Sequence, residues 1–303
     1  MAEKNLISRI ELHAIESMTL SDTQFLHGAR EGKPVHLAGE LRLPVGTGPF
    51  PAAVLVHSSF GVSAGVDRWA RELNALGVAA FLLDSFSGRG IFHTINDQSQ
   101  LGGLNMIYDA YRALELLAAR QQIDARRIAV MGFSKGGFAA LYAAMRRFQR
   151  AYAPENAEFA AYVGFYARAD VRFREDEDVS DRPIRLHHGE ADDWIPLPPT
   201  RDYVQRLQQA GKDVRLATYP EARHSFDSVN YPSTFRFPDA EISAGCRREE
   251  SASGEIINTD TGQPASAKDG CVTRGATVGY NQQAHEAALN AVQEFFKETF
   301  ALA

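Results

Sequence analysis

The feature that most constrains the fold is an abrupt change of pattern between residues 128 and 145. Residues 128–131 form a short apolar run followed by glycine, which is typical of a buried β-strand. Residues 138–145 are rich in helix formers and precede a basic pair, Arg146 and Arg147, that suits a helix C-terminus. The sequence therefore predicts a strand, a sharp turn and a helix in immediate succession.

The turn itself has the pattern Gly132-x-Ser134-x-Gly136. Small residues on both sides let the strand and the helix approach closely, and a serine at the tip of so sharp a turn is strained and exposes its hydroxyl. The helix N-terminus directly behind Ser134 favours developing negative charge. We therefore predict that Ser134 is a nucleophile, although a glycine-rich turn between a strand and a helix can carry a serine by chance.

The rest of the chain alternates between strand and helix patterns. Residues 7–15 and 35–44 alternate in polarity and predict two strands near the start. The later alternation implies right-handed crossovers and an α/β fold, with a mostly parallel sheet and helices on both faces. We find no boundary between two cores, so residues 1–303 are predicted to form one domain. The predicted buried strands are 52–57, 78–83, 128–131, 159–165, 184–188 and 214–219, and the predicted helices are 67–76, 104–119, 200–210 and 284–300.

Composition argues against several classes of partner. The chain has 303 residues, a formal net charge of −6 and a pI near 5.9. This charge argues against nucleic-acid binding and against an anionic membrane surface. The sequence has no run of 18 apolar residues, so no membrane span is predicted. Residues 1–5 do not read as a signal peptide, which by itself predicts a cytoplasmic protein.

One long polar segment, about residues 228–281, does not fit the alternating pattern. It is poor in large apolar side chains, and a connection of this length is usually functional or disordered. Both cysteines, Cys246 and Cys271, lie in it, and we predict that they form a disulfide. Such a bridge would indicate a periplasmic or secreted protein whose leader is absent from this sequence, whereas two free thiols would indicate a cytoplasmic one.

A serine nucleophile requires a base to take its proton. His224 lies in a loop directly after the strand 214–219, where such a base is expected, and we predict that it is the base. His187 and His188 finish a strand, and we predict that they are structural or support the catalytic residues. His285 opens the last helix and is predicted to be a solvated surface residue.

The base in turn requires an acid that orients it. Asp192 and Asp193 follow the strand 184–188, which places carboxylates at the same sheet edge as the nucleophile. A single turn geometry aims only one of the two at the imidazole. A metal site built from His188, Glu190 and these two carboxylates would crowd one turn, so no metal and no cofactor are predicted.

Acyl transfer also requires donors for the oxyanion. One predicted donor is the backbone N–H of Lys135, the residue after the nucleophile. The other is expected from the loop 57–61, whose small residues allow a tight approach. We predict the N–H of Ser59, with Ser58 as the alternative.

These motifs resemble the dienelactone hydrolase family of α/β-hydrolases over about residues 37–226 and the final helix. The resemblance implies an α/β-hydrolase fold, and the family spacing Gly-x-x-Asp-x-x-(Val/Ile)-Pro selects Asp192 over Asp193. The matching segments are HSSFG at 57–61, DSFSGRG at 84–90, GFSKGG at 132–137, HGEADDWIP at 188–196 and ARHSF at 222–226.

Two features depart from the family pattern. The family's namesake enzymes use a cysteine nucleophile with a glutamate in the oxyanion loop, and this chain has Ser134 and Ser58 at those positions. They also carry an arginine four residues after the base that holds a substrate carboxylate, and this chain has Ser228 there. The resemblance therefore implies general serine-esterase chemistry, with Arg89 as a candidate contact for an anionic acyl group.

We interpret the chain as a cofactor-independent serine hydrolase that cleaves carboxylic esters of small molecules. A peptidase or amidase with the same triad and a non-catalytic binding protein on the same scaffold are the alternatives. The sequence does not indicate an oligomeric state. The polar segment is predicted to fold over the active-site edge as a lid or pocket wall, and the alternative is an excursion on the far side of the sheet. The predicted apolar pocket consists of Phe60, Phe86, Phe133, Trp194 and Ile195.

Overall fold

The computed structural model describes residues 6–302, which form fourteen strands and seven α-helices. The strands are β1 (Ile7–Thr19), β2 (Lys33–Pro44), β3 (Phe50–Val56), β4 (Ala79–Asp84), β5 (Ile123–Phe133), β6 (Ala161–Phe165), β7 (Val171–Arg172), β8 (Ile184–Gly189), β9 (Val214–Tyr219), β10 (Phe235–Ile242), β11 (Arg248–Glu250), β12 (Ile256–Asn258), β13 (Gln263–Pro264) and β14 (Thr273–Val278). The helices are α1 (Asp22–Leu26), α2 (Ala64–Ala75), α3 (Gly103–Ala118), α4 (Lys135–Tyr142), α5 (Arg146–Tyr152), α6 (Leu197–Gln209) and α7 (Gln282–Phe300).

Eight strands form the central sheet, in the order β1-β2-β4-β3-β5-β6-β8-β9. β2 pairs antiparallel with both β1 and β4, and every later pair in the sheet is parallel. Parallel strands are covered by helices on both faces, which is why their sequences are nearly continuous apolar runs. β3, β5, β8 and β9 end at one edge, and the loops that follow them carry the predicted catalytic and oxyanion residues.

The two faces of the sheet pack against different helices. Successive strand residues point to opposite faces, so Val54 and Val56 of β3 join one apolar cluster while Ala53 and Leu55 join another. The first cluster contains buried residues of α3, α4, α5 and α6, and the second contains those of α2 and α7. This is the predicted mostly parallel sheet with helices on both faces. No helix within residues 6–302 is long and apolar enough to cross a membrane.

The polar segment between β9 and α7 contains five short strands, although its sequence shows no strand periodicity. We call residues 235–278 the insertion. β10 and β14 form an antiparallel pair, and β11, β12 and β13 join β7 in a second small sheet. The predicted disulfide is confirmed, since Cys246 and Cys271 are bonded, and it joins the two loops that connect these small sheets.

The insertion is anchored to the core by a buried ion cluster. Glu250 of β11 has a fully buried side chain and pairs with Arg147 of α5 at 2.6 Å and with Arg174 at 3.2 Å. A buried carboxylate is stabilised only when its charge and its lone pairs are satisfied. These contacts therefore fix β11 firmly against the domain.

Candidate active site

Ser134 occupies the turn between β5 and α4. Its backbone has φ 54° and ψ −113°, a conformation that costs a non-glycine residue about 1–3 kcal/mol. A Cβ at Gly132 would lie 1.9 Å from the Gly136 carbonyl oxygen, and a Cβ at Gly136 would lie 2.1 Å from the Val56 carbonyl oxygen. The Ser134 N–H donates to the Phe165 carbonyl at 2.9 Å. The strands on both sides of β5 therefore hold this strained turn in place.

Three side chains beyond the carboxyl ends of β5, β8 and β9 form one hydrogen-bonded chain. Ser134 Oγ lies 3.0 Å from His224 Nε2, and His224 Nδ1 lies 2.8 Å from Asp192 Oδ2. When Nδ1–H donates to the carboxylate, Nε2 presents its lone pair to the serine hydroxyl, which donates. All three residues are buried. The structure thus brings together the residues that the sequence predicts as nucleophile, base and acid.

The acid is held in one orientation by its own turn. Asp192 Oδ1 accepts hydrogen bonds from the backbone N–H groups of Trp194 and Ile195 at 2.9 and 2.8 Å, which leaves Oδ2 for the imidazole. Asp193 points elsewhere, and its Oδ1 accepts the Thr277 N–H of β14 at 2.8 Å. Asp192 and not Asp193 is therefore the carboxylate at the base.

Two rings flank His224, with ring centroids 4.9 Å away for Trp194 and 4.6 Å away for Tyr166. The Tyr166 hydroxyl donates to Asp227 Oδ1 at 2.9 Å, and Asp227 Oδ2 accepts the Trp69 Nε1–H at 2.7 Å. Burial and the charge of Asp227 raise the pKa of the Tyr166 phenol well above its usual value, so it remains a donor. No sequence motif indicates Tyr166, although its position just after β6 places it at the same sheet edge as Ser134.

The two predicted oxyanion donors are Ser59, in the loop after β3, and Lys135, the first residue of α4. Ser59 and Lys135 line the same cavity as the nucleophile. The Ser59 hydroxyl donates to Gln98 Oε1 at 3.1 Å, which fixes this residue against the loop that follows β4. Ser58 lines a different pocket, and its Oγ accepts the Phe60 N–H at 3.2 Å. Of the two serines, Ser59 is therefore the one that faces the cavity of the nucleophile.

The Lys135 side chain is buried beside the nucleophile. Its Nζ donates to the carbonyl oxygens of Gln98 and Leu101, at 3.0 and 2.6 Å. Burial, together with the nearby charge of Arg168, lowers the pKa of Lys135 to about 7. The lysine thereby ties the loop at residues 98–101 to the start of α4.

The cavity next to Ser134 has a volume of about 570 Å³. The core supplies its floor and the insertion supplies one wall. The core residues include Ser21, Asp22, Ser59, 98–104, Ser134, Lys135, Phe138, Arg168, Trp194 and Ile195, and the insertion residues are Glu241, Ser243, Ala244, Arg248, Ile256 and 265–267.

Four of the five predicted apolar pocket residues lie around the site. Trp194 and Ile195 line the cavity of Ser134. Phe60 and Phe133 instead line a second pocket of about 240 Å³, which also borders Ser225, the residue after the base. The Phe60 ring also packs against the Trp194 ring, with centroids 6.1 Å apart. The aromatic residues therefore divide the site into two pockets of unequal size.

Two predicted pocket residues are placed elsewhere, which corrects the sequence analysis. Phe86 is 1% exposed and its ring packs edge-on against His57 in the core. The Arg89 guanidinium forms a two-pronged pair with the buried Asp109, at 2.7 and 2.9 Å, and donates to backbone carbonyls as well. Because those contacts use its donors, Arg89 is a structural residue and does not reach the cavity.

The remaining histidines have structural surroundings. The prediction that His285 is solvated is wrong, because Tyr280 and Trp69 cover the start of α7 and leave this histidine 2% exposed. His187 is buried, with Nδ1 2.8 Å from the Tyr219 hydroxyl. Burial lowers the pKa of His187 to about 3, so it is neutral at physiological pH.

The residues considered for a metal site are engaged separately. His188 Nε2 donates to the Ile195 carbonyl oxygen at 2.7 Å, and Glu190 Oε1 accepts the Thr218 hydroxyl at 2.7 Å. A metal site needs its ligand atoms to converge on one point. These two side chains instead support the turn that carries the acid.

Comparison with known proteins gives the family. The model of the dienelactone hydrolase family matches residues 37–300. The chain belongs to the dienelactone hydrolase family. The resemblance stated from the motifs is therefore confirmed, and the central sheet described above is that of an α/β-hydrolase.

Individual relatives carry several activities. A Bradyrhizobium sp. protein named "Probable 2-oxo-3-(5-oxofuran-2-ylidene)propanoate lactonase" is 27% identical over 208 residues, covering 62% of this chain and 80% of that protein. Dipeptidyl peptidase family member 1 of Caenorhabditis elegans is 28% identical over 156 residues, covering 46% of this chain and 18% of that protein.

Solved structures share the fold over most of the chain. A dienelactone hydrolase-like promiscuous phosphotriesterase from metagenomic libraries has a TM-score of 0.59 at 16% identity, covering 96% of this chain and 98% of that one. Esterase 2 of Thermogutta terrifontis, phosphoramylated by tabun, has a TM-score of 0.58 at 17% identity, covering 96% of each chain. At these identities the likeness shows the fold alone.

Proposed function

We propose that the protein is a serine hydrolase that cleaves carboxylic esters through an acyl-enzyme. The observation that carries this proposal is the hydrogen-bonded chain from Ser134 through His224 to Asp192, at 3.0 and 2.8 Å. A serine hydroxyl is a poor nucleophile until a base removes its proton, and an oriented imidazole is such a base.

In the proposed mechanism, Ser134 Oγ attacks the ester carbonyl as His224 Nε2 takes its proton. Asp192 stabilises the imidazolium and keeps Nδ1 protonated. The backbone N–H groups of Ser59 and Lys135 donate to the tetrahedral oxyanion, which also lies at the N-terminus of α4. The imidazolium then gives its proton to the leaving alcohol. Water repeats the cycle on the acyl-enzyme and restores the serine.

In this scheme the cavity of about 570 Å³ receives the acyl group, and the insertion acts as its wall. The position of Glu241, Ser243 and Arg248 in the lining supports a wall over an excursion on the far side of the sheet. The insertion ends close to the base, because His224 forms a β-bridge with Val278, the last residue of β14. It therefore joins the site at the base and continues around the cavity.

The relatives favour an ester over an amide. A lactone is a cyclic carboxylic ester. The Bradyrhizobium relative, of which this chain matches 80%, is named a probable lactonase. The relative from Caenorhabditis elegans that is named a dipeptidyl peptidase matches over only 18% of its length. Amide cleavage is therefore the second candidate reaction. Both reactions use the same triad, and they differ in whether the leaving group is an alcohol or an amine.

A substrate panel tests the proposal. p-Nitrophenyl esters of two to eight carbons and aminoacyl-anilides are offered to the wild-type protein, and we expect turnover of the esters. Ser134→Ala should lower kcat by about 10⁴-fold or more, and a fluorophosphonate probe should label Ser134 in the wild type alone. Cleavage of anilides at a comparable kcat/KM would favour the peptidase, and full turnover by the variant would exclude Ser134 as the nucleophile.

A further inference from the structure

The catalytic imidazole lies between two pockets. The Trp194 ring, which lines the larger cavity, and the Tyr166 ring, which lines the second pocket, both pack on His224, with centroids 4.9 and 4.6 Å away. The second pocket also borders Phe133 and Ser225, the chain neighbours of the nucleophile and of the base. A group held in this pocket is therefore next to the base.

The second pocket is small and carries no charge. Among residues 6–302 its lining consists of four aromatic residues, four serines, an asparagine, a glycine and a valine. Burial raises the pKa of the Tyr166 and Tyr231 phenols, so both remain neutral. The larger cavity, in contrast, is lined by charged side chains such as Glu241 and Arg248. The second pocket therefore suits a small neutral group.

Two serine hydroxyls of this pocket have unused hydrogen-bonding capacity. Ser63 directly precedes α2, but its side chain caps no N–H of that helix. No side-chain hydrogen bond joins Ser63 or Ser228 to another residue within 6–302. A Cβ at Gly65 would lie 3.7 Å from Ser63 Oγ and 4.0 Å from Ser228 Oγ, so both hydroxyls border one open space in front of Gly65. A ligand hydroxyl in that space can donate to one serine and accept from the other.

The two halves of an ester make different demands on the site. The acyl group stays bonded to Ser134, which lines the larger cavity and not the second pocket. The alcohol needs only the base, because it leaves with the proton of His224 Nε2. The second pocket has a volume of about 240 Å³, and at about 30 Å³ for each water it holds a group of about eight non-hydrogen atoms. This position and this volume match a small alcohol.

We propose that the second pocket binds the leaving alcohol, and that the preferred alcohol is a small uncharged diol. This inference rests on the proposed ester hydrolysis and adds the alcohol specificity of the same site. When the tetrahedral intermediate collapses, the bond from the carbonyl carbon to the alcohol oxygen breaks, and that oxygen takes the proton from His224 Nε2. The second hydroxyl of the diol remains hydrogen-bonded to Ser63 and Ser228 until the product leaves.

The test compares 2-hydroxyethyl butyrate with propyl butyrate, which differ only by a hydroxyl in place of a methyl group. The measured quantity is the ratio of kcat/KM for the two esters, each divided by the rate constant of its alkaline hydrolysis to remove differences in leaving-group reactivity. The wild type should prefer the hydroxyethyl ester, and Ser63→Ala/Ser228→Ala should lower the ratio about 3- to 10-fold, the range of a neutral hydrogen bond. A preference for the propyl ester, or an unchanged ratio in the variant, overturns the diol specificity.

A second variant tests the pocket itself. Gly65→Leu places a side chain in the open space and should lower kcat/KM for propyl butyrate about tenfold more than for methyl butyrate, whose alcohol is shorter. The matched control is Ala64→Leu, because Ala64 is the exposed neighbour in α2 and does not line the pocket. Equal effects of the two variants overturn the alcohol site. A higher corrected kcat/KM for choline butyrate than for the hydroxyethyl ester would assign the rings to a cation and overturn the uncharged diol.

Binding separates this inference from the proposed function. With Ser134→Ala, saturation-transfer NMR should show contact between the protein and the hydroxyethyl protons of 2-hydroxyethyl butyrate. Gly65→Leu in that background should abolish this transfer, and Ala64→Leu should retain it. If no ester is cleaved but this pattern holds, the ester hydrolysis is wrong and the hydroxyl-binding pocket stands. If the esters are cleaved and the transfer persists in Gly65→Leu, the pocket assignment is wrong and the ester hydrolysis stands.

Discussion

The catalytic side and the insertion side of the cavity are built in different ways. On the catalytic side, buried strands end in short turns, and β3 is buried over six of its seven residues. On the insertion side, β10 has two buried residues in eight, and the segment is held by a disulfide and by the Glu250 ion cluster. The first side is held by packing and backbone sterics, and the second by a small apolar cluster around Trp194 together with a few discrete cross-links.

This difference matches what each side does in the proposed mechanism. Proton transfer between Ser134 and His224 tolerates errors of only a few tenths of an ångström, and a rigid scaffold supplies that precision. A wall that recognises the acyl group needs shape and charge, which a polar segment can provide without a core of its own. The comparison therefore predicts large losses for changes on the catalytic side and altered selectivity for changes in the insertion.

The largest expected effect concerns the acid. Asp192→Asn keeps the two backbone hydrogen bonds but presents an amide to His224, which favours the wrong tautomer of the imidazole. We expect kcat to fall about 10³- to 10⁴-fold. Asp193→Asn is the matched control, since an asparagine oxygen still accepts the Thr277 N–H, and it should cost less than tenfold. The reverse order, measured with a p-nitrophenyl ester, would mean that Asp193 orients the base.

The catalytic side could be predicted from the sequence because its determinants are local. The glycines around Ser134 are required by contacts below 3 Å with neighbouring backbone, and such sterics appear in a sequence as a fixed pattern. The order Ser134, Asp192, His224 follows from which strands end at the shared edge. The choice of Asp192 over Asp193 as the acid, in contrast, depended on the spacing of the family motif.

The remaining features depend on contacts that a local pattern does not record. Arg89 is a plausible substrate contact until Asp109, twenty positions away on α3, is seen to bind it. His285 belongs to an amphipathic helix, but Trp69 of α2 covers its first turn. β11 of the insertion pairs with β7, where Arg248 lies opposite Val171, 77 residues earlier in the chain, so no local pattern of its sequence indicates a strand. Only tertiary structure reveals these partners.

A second prediction tests whether the insertion governs selectivity. Ile242 and Thr273 are neighbours across the β10–β14 pair, so an Asn-Gly turn can replace residues 243–272 without breaking that pair. The variant loses Arg248 and most of the wall while its triad residues are retained. We expect fluorophosphonate labelling of Ser134 to persist and the preference among acyl groups to change by about tenfold or more.

The deletion must not destabilise the core, because an unfolded protein would say nothing about selectivity. Glu250 is removed, which leaves Arg147 without its buried partner, so Arg147→Met should accompany the deletion. An unchanged ranking of short, long and acidic acyl groups in a folded, labelled protein would show that the insertion has no part in selectivity.

The smallest effect is expected from the disulfide, which closes a loop of 25 residues within the insertion. A bridge of this span restricts the unfolded chain by about 3 kcal/mol if it is unstrained. In Cys246→Ala/Cys271→Ala, hydrogen exchange at the amides of β11 and β12 should quicken while the amides of β5 keep their protection, because the two sides of the cavity are held by different interactions. The KM for esters that contact the wall should rise a few-fold with little change in kcat, since the triad lies on the core. Equal loss of protection in β5 and β11 would show that the insertion and the core unfold as one unit. The two sides of the cavity would then differ in how they are built but not in how stable they are.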